Sequence, residues 1–327
     1  MLLRTILPLL FLLFSPLFAE NKSCYKFFPD SFKIVDGQPA FAVAKNRFVS
    51  MGCPEGKKIA AFDRFTGLCI FEDEVAKPLY MGDAKPPLYI CPDREKRDGI
   101  IRSYPVSVYP GELTIRPGHE GALFSGCCKL AGIFDGSGAW FDTASIRKLL
   151  ENRTAHGDVC ARFEMKNGAV TVAAADPFCR CGLKPGDKVL KAGESGTPTL
   201  RKVRALVDSC RPPQSLRFVV ERNGASLETE AACFDRLGGG RVSDTFLERF
   251  GMRFSPLLEI TQIDPASPAF KKGLRAGDRL LMIDGSRVEN EKEVRAVLSG
   301  YTLKASGPEK MLWERRGFQF FLLPTSL

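Results

Sequence analysis

Short alternations of apolar and polar residues mark the last third of the chain. Leu258–Ile263 alternates in this way and predicts a strand, and Arg279–Ile283 predicts another. Asp284-Gly285, directly after the second strand, favours a hairpin turn. Met311–Glu314 and Phe318–Leu323 then predict two closing strands. The pattern therefore predicts mostly β structure in this part of the protein.

Two helices are predicted between these strands. Ser267 suits the N-cap of the first helix, and Pro268 suits its first turn because a proline there sacrifices no helical hydrogen bond. Asn290 and Glu293 form a capping box at the start of the second helix. The apolar face of this second helix consists of Val294, Val297 and Leu298.

The same pattern occurs a second time, earlier in the sequence. Three pairs of segments lie 91 residues apart in the same order: Arg162-Phe163 and Arg253-Phe254, Gly182–Asp187 and Gly273–Asp278, and Val203–Val207 and Val294–Leu298. A fourth pair, Glu221-Arg222 and Glu314-Arg315, lies 93 residues apart, so the second copy carries a two-residue insertion. One offset held over three motifs indicates a duplicated domain of about 90 residues.

The order of elements, with its Ser-Pro-Ala, Gly-Leu and Gly-Asp motifs, resembles a PDZ domain of the type found in bacterial HtrA proteases. The resemblance implies that a peptide binds as an added strand. It also implies that a loop of the pattern x-apolar-Gly-apolar holds the peptide carboxylate on backbone N–H groups. In the second copy this loop matches Arg249, Phe250, Gly251 and Met252. Gly251 would permit the close approach of the backbone to the anion.

The second helix of this copy would complete the peptide-binding groove. The pocket for the last side chain of the peptide is expected to consist of Val294, Val297, Leu298, Phe250 and Met252. The alternative is that the three helix residues belong only to the core, because the core and the groove of a PDZ domain share this helix.

The loop of the first copy departs from this pattern. It is Asp158-Val159-Cys160-Ala161, with Cys160 in place of the glycine. Left-handed dihedral angles cost more at a cysteine than at a glycine, and Asp158 would repel a peptide carboxylate. We therefore expect the first copy to bind peptide weakly, differently or not at all.

Residues 20–155 resemble a trypsin-like protease domain, which an HtrA-like architecture places before its PDZ domains. The matching segments, in the expected order, are Arg47–Cys53 for the histidine, Phe62–Ile70 for the aspartate, Pro117–Phe124 for the nucleophile, and Lys129–Phe134 and Trp140–Leu150 for the strand and helix that follow. The region is short for two complete barrels, so the first barrel is expected to be reduced.

Each catalytic position of this resemblance carries a different residue. Gly52 or Cys53 stands in place of the histidine, Gly67 in place of the aspartate and Glu120 in place of the serine. A Ser-His-Asp mechanism needs a histidine that accepts the serine proton and an aspartate that orients the histidine. The resemblance therefore predicts a degenerate triad and a protein that is not an enzyme.

Two alternatives to this degenerate protease stay open. Residues 20–155 can form an unrelated small β domain. The protein can also be a serine or cysteine protease with relocated catalytic residues, for example a pair of His119 with the nearby Cys127-Cys128. The simpler interpretation of these residues is a surface loop histidine beside oxidised cysteines.

The first residues are typical of a secretory signal peptide. Arg4 supplies a positive charge, and Thr5–Ala19 is an apolar run of 15 residues. This run is shorter than the roughly 20 residues of a membrane-spanning helix. We expect cleavage after Ala19 and export to the periplasm, and the alternative is an uncleaved N-terminal anchor.

The composition fits export. The sequence contains 11 cysteines but two histidines among 327 residues. Outside the cytosol, cysteines are expected as structural disulfides, and an odd number leaves at least one thiol outside an intramolecular pair. Because the cysteine spacing does not match a typical zinc site, neither a metal nor a cofactor is expected. The formal charge of +9 is expected to attract acidic polymers, lipids or peptide carboxylates, since export disfavours nucleic acid.

The predicted fold is mostly β with short helices. Its parts are a signal peptide at 1–19, a degenerate trypsin-like β-barrel region at 20–155, a degenerate PDZ domain at 156–235 and a PDZ domain at 236–327. The predicted function is that of a non-catalytic adaptor, scaffold or chaperone-like factor that recognises the C-termini or β segments of envelope or periplasmic proteins. A homo-oligomer, or a purely structural role in a larger envelope complex, stays open.

Overall fold

The computed structural model describes residues 28–74, 77–86, 88–91, 96–97, 100–126, 129–179, 181–194, 198–304 and 307–322. The expected signal peptide and its cleavage site lie outside these residues. The protein divides into two compact units. The first is drawn from Met1–Pro105 and Pro110–Thr154, and the second from Val106–Tyr109 and Ala155–Leu327.

Within its described residues, the first unit contains two antiparallel sheets and two helices. Its helices are α1 (Phe28–Ser31) and α2 (Thr143–Leu150). Its strands are β1 (Phe32–Val35), β2 (Gln38–Ala44), β3 (Arg47–Met51), β4 (Lys58–Phe62), β5 (Leu68–Glu72), β6 (Leu88–Cys91), β7 (Lys96–Arg97), β8 (Ile101–Ser103), β9 (Gly111–Leu113), β10 (Gly121–Ser125), β11 (Lys129–Phe134) and β12 (Ala139–Asp142). The strand orders are β1-β2-β3-β5-β4 and β7-β6-β10-β11-β12-β9-β8.

One core joins the two sheets of the first unit. Phe41 and Ile70 of the first sheet pack with Phe124 and Ile133 of the second, and Leu149 of α2 joins them. The opposite face of the first sheet buries a smaller cluster of Ala40, Ala42, Phe48 and Phe71. Because both faces of its central strands are covered, these strands are nearly continuous apolar runs rather than alternating ones.

The first copy of the repeat forms a five-stranded sheet and one helix of the second unit. Its strands are β13 (Gly157–Asp158), β14 (Ala161–Lys166), β15 (Ala169–Ala175), β16 (Lys188–Ala192), β17 (Ser215–Arg222), β18 (Ala225–Ala232) and β19 (Phe234–Asp235), and its helix is α3 (Leu200–Ser209). The sheet order is β14-β15-β16-β17-β18, and β13 pairs with β19. Val203 and Val207 place the apolar face of α3 on the sheet core.

The second copy has a similar arrangement of shorter strands. Its strands are β20 (Met252–Phe254), β21 (Ile260–Ile263), β22 (Arg279–Ile283), β23 (Ser286–Arg287), β24 (Met311–Arg315) and β25 (Phe318–Leu322). Its helices are a 3-10 helix (Leu247–Phe250), α4 (Pro268–Lys271) and α5 (Glu291–Tyr301). β20 pairs with β21, and the other sheet has the order β23-β22-β24-β25. Its core surrounds the fully buried Trp313.

The predicted caps and turns of the second copy are present. Ser267 Oγ accepts a hydrogen bond from Phe270 N at 3.2 Å, and Asn290 Oδ1 accepts one from Glu293 N at 3.1 Å. The first predicted strand begins later than expected, at Ile260, because Leu258 has a left-handed φ of 62° that ends a turn. Local sequence signals therefore locate the elements of this copy to within a few residues.

The Gly-Asp motif of the repeat has one structural role in both copies. Arg222 donates Nε and Nη2 to the carboxylate of Asp187 at 2.7 and 2.6 Å, and Nη2 also reaches Gly182 O at 2.9 Å. In the second copy the same three bonds join Arg315 to Asp278 and to the carbonyl oxygen of Gly273. Both carboxylates are almost completely buried. The aspartate of the motif therefore forms a bidentate ion pair with an arginine, and this pair joins the Gly-Asp turn to the closing strands.

Three disulfides form among the described residues. They are Cys53–Cys69, Cys160–Cys179 and Cys210–Cys233. The prediction of structural disulfides is confirmed for these six cysteines. Cys181 carries a free thiol, and burial raises its pKa to about 11, so the thiol is protonated at neutral pH. Cys24, Cys127 and Cys128 lie outside the described residues, and so does the proposed pairing of His119 with the last two.

The predicted fold class, mostly β with short helices, is confirmed. Strands dominate both units, and the longest helix, among the described residues, is α5 with 11 residues. None of the helices in this part of the protein has the length and the apolar character that a membrane crossing requires.

Candidate peptide-binding site

The candidate groove of the second copy lies between β20 and α5. Within the described residues, β20 pairs with a single strand, β21. The N–H group of Phe254 points away from β21, because its hydrogen-bond acceptor is the hydroxyl of Ser243 at 3.0 Å. The unpaired edge of β20 is therefore the edge to which a peptide strand could be added.

The four residues of the predicted carboxylate loop fall at the junction of two elements. Arg249 and Phe250 end the 3-10 helix, Gly251 follows it, and Met252 begins β20. Gly251 has a left-handed φ of 83°, and a Cβ at this position would collide with Ser267. Glycine is required here for both reasons. In this conformation the Gly251 N–H donates to Glu248 O at 3.0 Å.

The predicted pocket residues of α5 are divided between the core and its margin. Val294 and Leu298 are fully buried and share the core cluster of this copy with Met252. Val297 and Phe250 are partly buried against that cluster. Val297 and Phe250 are therefore the members of the predicted set that retain surface toward a ligand, whereas Val294 and Leu298 support the groove from beneath.

Two loop residues also bind the first copy, which the sequence did not indicate. Arg249 donates Nε to Asp176 Oδ2 at 3.0 Å and Nη1 to Phe178 O at 3.3 Å. The ring of Phe250 meets the ring of Phe178 edge-on, with centroids 5.0 Å apart. Burial raises the pKa of Asp176, although Arg249 acts against this rise. The two copies are therefore joined at the loop of the second one.

The corresponding loop of the first copy is braced by covalent and ionic bonds. Cys160 has the left-handed φ of 57° that the pattern reserves for glycine, and it is bonded to Cys179. Asp158 Oδ1 accepts hydrogen bonds from Cys160 N at 3.0 Å and from Arg162 Nη1 at 2.9 Å. The Asp158 carboxylate therefore binds the backbone N–H of Cys160. In the family pattern, the N–H groups of this loop bind the peptide carboxylate instead.

In the first copy, an arginine connects α3 to β14, the two elements that correspond to α5 and β20. Arg204 of α3 donates Nη2 to Phe163 O of the edge strand β14 at 3.3 Å. Its guanidinium carbon lies 4.1 Å from the ring centroid of Tyr109. Burial lowers the pKa of Arg204, and a stacked aromatic ring partly compensates a desolvated guanidinium.

The structure brings together two of the three predicted triad positions. Gly52 follows β3, and Gly67 precedes β5. The N–H of Gly52 donates a hydrogen bond to the carbonyl oxygen of Gly67 at 2.7 Å. The Cys53–Cys69 disulfide lies directly beside this contact. Glu120 precedes β10, and its carbonyl oxygen lies 3.0 Å from His119 Nδ1.

In the described part of the protein, no group of three or more metal-ligating side chains has the arrangement of a metal site. The expectation that the protein needs neither metal nor cofactor stays a prediction.

Comparison with known proteins identifies the domain type of both repeats. Residues 157–232 and residues 259–302 each match a family described as a PDZ domain. A probable periplasmic serine endoprotease, DegP-like, of Halomonas elongata is 27% identical over 139 residues, which cover 37% of this chain and 29% of that protein. Both repeats of this protein are PDZ domains.

A second relative is a putative zinc metalloprotease of Treponema pallidum. It is 26% identical over 129 residues, which cover 39% of this chain and 27% of that protein. The sequence therefore spans less than a third of the length of these curated relatives. Among solved structures, the HtrA-type protease AlgW with tripeptide matches with a TM-score of 0.49 and 14% identity over 66% of this chain and 97% of that one. The serine endoprotease from Yersinia pestis matches with a TM-score of 0.43 and 12% identity over 66% and 98%.

The comparison corrects the prediction that the protein is not an enzyme. The relative in Halomonas elongata is a probable serine endoprotease, so that prediction is wrong. It relied on the residue types at Gly52, Gly67 and Glu120. A change at three matched positions does not exclude that other side chains perform the chemistry, because a triad is recognised by geometry and roles. The assignment of these three residues to the triad positions stays a prediction.

Proposed function

We propose that this HtrA-like protein binds extended peptides with a free C-terminus in the groove between β20 and α5. The observation that carries the proposal is the unpaired edge of β20, at which the Phe254 N–H points toward the groove. A peptide strand added there would gain main-chain hydrogen bonds, and the partly buried Val297 and Phe250 would contact its last side chain. Arg249, Gly251 and Met252 would surround the carboxylate.

We also propose that the protein acts in the periplasm on envelope or periplasmic proteins. The periplasmic DegP-like relative supports this location. Exposed C-termini and unpaired β segments are the ligands that a PDZ groove suits, because both offer an extended backbone.

The proposed division of the protein is 20–155, 156–235 and 236–327. It is supported by the boundary between Thr154 and Ala155 that separates the two units. The two PDZ matches, at 157–232 and 259–302, each fall inside one proposed domain.

A peptide array tests the binding proposal. The mature full-length protein is applied to matched decapeptides that carry either a free or an amidated C-terminus. We expect amidation to reduce binding at least tenfold, because it removes the charge that the loop holds. Gly251→Ala should weaken binding to the free-carboxylate peptides, whereas Gly224→Ala, in an open turn of the first copy, should not. Equal binding to both peptide series would refute the carboxylate-loop assignment.

Proteolysis of the HtrA type is a second candidate function, favoured by the serine endoprotease relative. The mature protein is incubated with unfolded casein and with a serine-directed fluorophosphonate probe, and labelled peptides are identified by mass spectrometry. Labelling of one serine, together with casein cleavage that its alanine variant loses, would establish the activity and locate the nucleophile. Absence of both labelling and cleavage would contradict it.

A further inference from the structure

The segment that precedes the carboxylate loop lies across the candidate groove. Ser243 Oγ accepts the hydrogen bond from Phe254 N on the β20 side. The next residue, Asp244, donates its N–H to Glu291 Oε2 of α5 at 3.0 Å. Arg295 of the same helix binds the carbonyl oxygen of Asp244. Two successive residues therefore bridge the strand and the helix that bound the groove.

This segment connects the two ends of β20. Ser243 lies opposite Phe254, the last residue of β20. The backbone then returns through the 3-10 helix to Met252, the first residue of β20. Residues 243–251 therefore lead from the C-terminal end of β20 back to its N-terminal end, and Ser243 occupies a hydrogen-bonding position on the edge that a peptide strand would use.

The carboxylate of Asp244 is held by arginines from both copies. Arg162 donates Nε and Nη2 to its two oxygens at 2.7 and 2.6 Å, and Arg295 Nη1 lies 3.6 Å from Oδ2. Burial raises the pKa of Asp244, but the two arginines outweigh burial and hold this pKa below its ordinary value. The Asp244 carboxylate therefore occupies a built carboxylate site between Arg162 of β14 and Arg295 of α5.

The first copy has an arginine at the equivalent helix position. Arg204 lies 91 residues before Arg295, and its partner Phe163 lies 91 residues before Phe254. Arg204 binds the edge strand directly, whereas Arg295 binds it through Ser243-Asp244. In both copies this helix position connects to the edge strand where a peptide would lie.

We propose that Ser243-Asp244 is a built-in pseudo-ligand of the second PDZ domain, and that the peptides that displace it carry an acidic side chain that replaces the Asp244 carboxylate on Arg295. The proposal rests on the peptide-binding function proposed above. When Asp244 leaves, Arg162 keeps Asp158 and Arg295 keeps Glu291 at 3.8 Å, but both arginines lose the Asp244 carboxylate. An incoming carboxylate replaces the lost ion-pair partner of Arg295, and a neutral or cationic side chain does not.

Fluorescence anisotropy on the mature full-length protein tests this inference. The probes are fluorescein-labelled decapeptides with a free C-terminus and Asp, Ala or Lys two residues before it. We expect the Asp peptide to bind at least fivefold more tightly than the Ala or Lys peptide. Asp244→Asn should raise the affinity for every peptide at least tenfold, because the pseudo-ligand loses its charge.

A second variant keeps the test valid if Asp244→Asn unfolds. Ser243→Ala removes only the acceptor of the Phe254 N–H and should raise peptide affinity at least threefold. Ser286→Ala, at an exposed serine of β23, is the matched control and should leave affinity unchanged. Arg295→Glu should reverse the preference, so that the Lys peptide binds more tightly than the Asp peptide.

The outcomes separate the two proposals. If wild type and all variants bind no free-carboxylate peptide, the peptide-binding function itself fails. If peptides bind, but Ser243→Ala and Asp244→Asn match wild type and the charge of the peptide has no effect, the pseudo-ligand is overturned while the peptide-binding function stands.

Discussion

At the scale of single residues, buried charges are stabilised by bidentate partners. Asp187 and Asp278 are nearly inaccessible to water, and each is paired with one arginine that also binds a glycine carbonyl oxygen. A buried carboxylate needs such partners, because its desolvation costs several kcal/mol. The Gly-Asp motif that repeats along the sequence is therefore explained by folding stability and not by ligand binding.

Removal of the partner of a buried aspartate should destabilise the first PDZ domain. Arg222→Ala leaves Asp187 buried without its bidentate donor, and we expect a loss of about 3 kcal/mol in the free energy of unfolding. Urea unfolding followed by circular dichroism measures the loss. The control is Arg217→Ala, at an exposed residue of the same strand. Equal stabilities of the two variants would contradict the structural role of the pair.

Glu248 should make stability depend on pH. Burial raises its pKa from 4.5 to about 7, and the negative charge of Asp244 adds to this rise. The folded protein therefore binds the proton more tightly than the unfolded protein does. The stabilisation that comes from this proton is fully present below pH 4.5 and is lost as the pH rises through about 7.

Glu248→Gln should remove this pH dependence. The amide keeps an acceptor for the Thr245 N–H but does not titrate. Between pH 4.5 and pH 8, we expect the free energy of unfolding of the variant to fall by up to about 3 kcal/mol less than that of wild type. Urea unfolding at a series of pH values measures the difference, with the exposed Glu259→Gln as control. Parallel curves for wild type and Glu248→Gln would disprove the assignment.

At the scale of elements, the first PDZ domain adds disulfide bonds to a packed core, whereas the second has a packed core without disulfides. Cys210 follows α3 and Cys233 follows β18, so their disulfide holds the helix end to the sheet. The second copy contains no cysteine, and Trp313 and Leu298 fill its core instead. The PDZ arrangement therefore does not itself require the disulfides.

Loss of the Cys210–Cys233 disulfide should destabilise the first PDZ domain. The bond closes a loop with a sequence separation of 23 residues. Since a closed loop of this size restricts the entropy of the unfolded state, we expect the double Cys→Ala variant to lose about 3 kcal/mol in the free energy of unfolding. Differential scanning calorimetry measures the loss, and Cys181→Ala is the control. A double variant as stable as that control would refute the expectation.

At the scale of the whole molecule, sequence order and compact units do not coincide. Val106–Tyr109 belongs to the second unit, although first-unit residues flank it on both sides. Ser107 Oγ donates to Asp208 Oδ1 at 2.7 Å, and His156 Nδ1 lies 2.7 Å from the same oxygen. The second unit therefore contains a short segment that is distant in sequence.

Truncation of the Tyr109 ring should weaken the second unit. Tyr109→Leu removes the aromatic ring that stacks on the guanidinium of Arg204. We expect the free energy of unfolding to fall by about 1 kcal/mol. The thermal midpoint of the full-length protein measures it, with Tyr80→Leu, at a ring that is 79% exposed, as control. If both variants melt together with wild type, the ring does not support the unit.

Features that depend on close neighbours in the sequence could be predicted from the residues alone. The duplication is visible as a fixed offset between motifs. The caps at Ser267 and Asn290, the hairpin turn at Asp284-Gly285 and the left-handed glycine at Gly251 all follow from local dihedral and hydrogen-bond preferences. The location of the predicted carboxylate loop belongs to the same class, because each of these features needs only a few consecutive residues.

What occupies the grooves depends instead on contacts that form only in the folded protein. The bridge that Ser243-Asp244 forms between β20 and α5, the bond of Arg249 to Asp176, and the disulfide partners join residues that are distant in sequence. No periodicity or motif encodes such contacts, because they depend on how packed elements bring side chains together. The two arginines that hold Asp244, Arg162 and Arg295, lie 133 positions apart and meet only through tertiary packing.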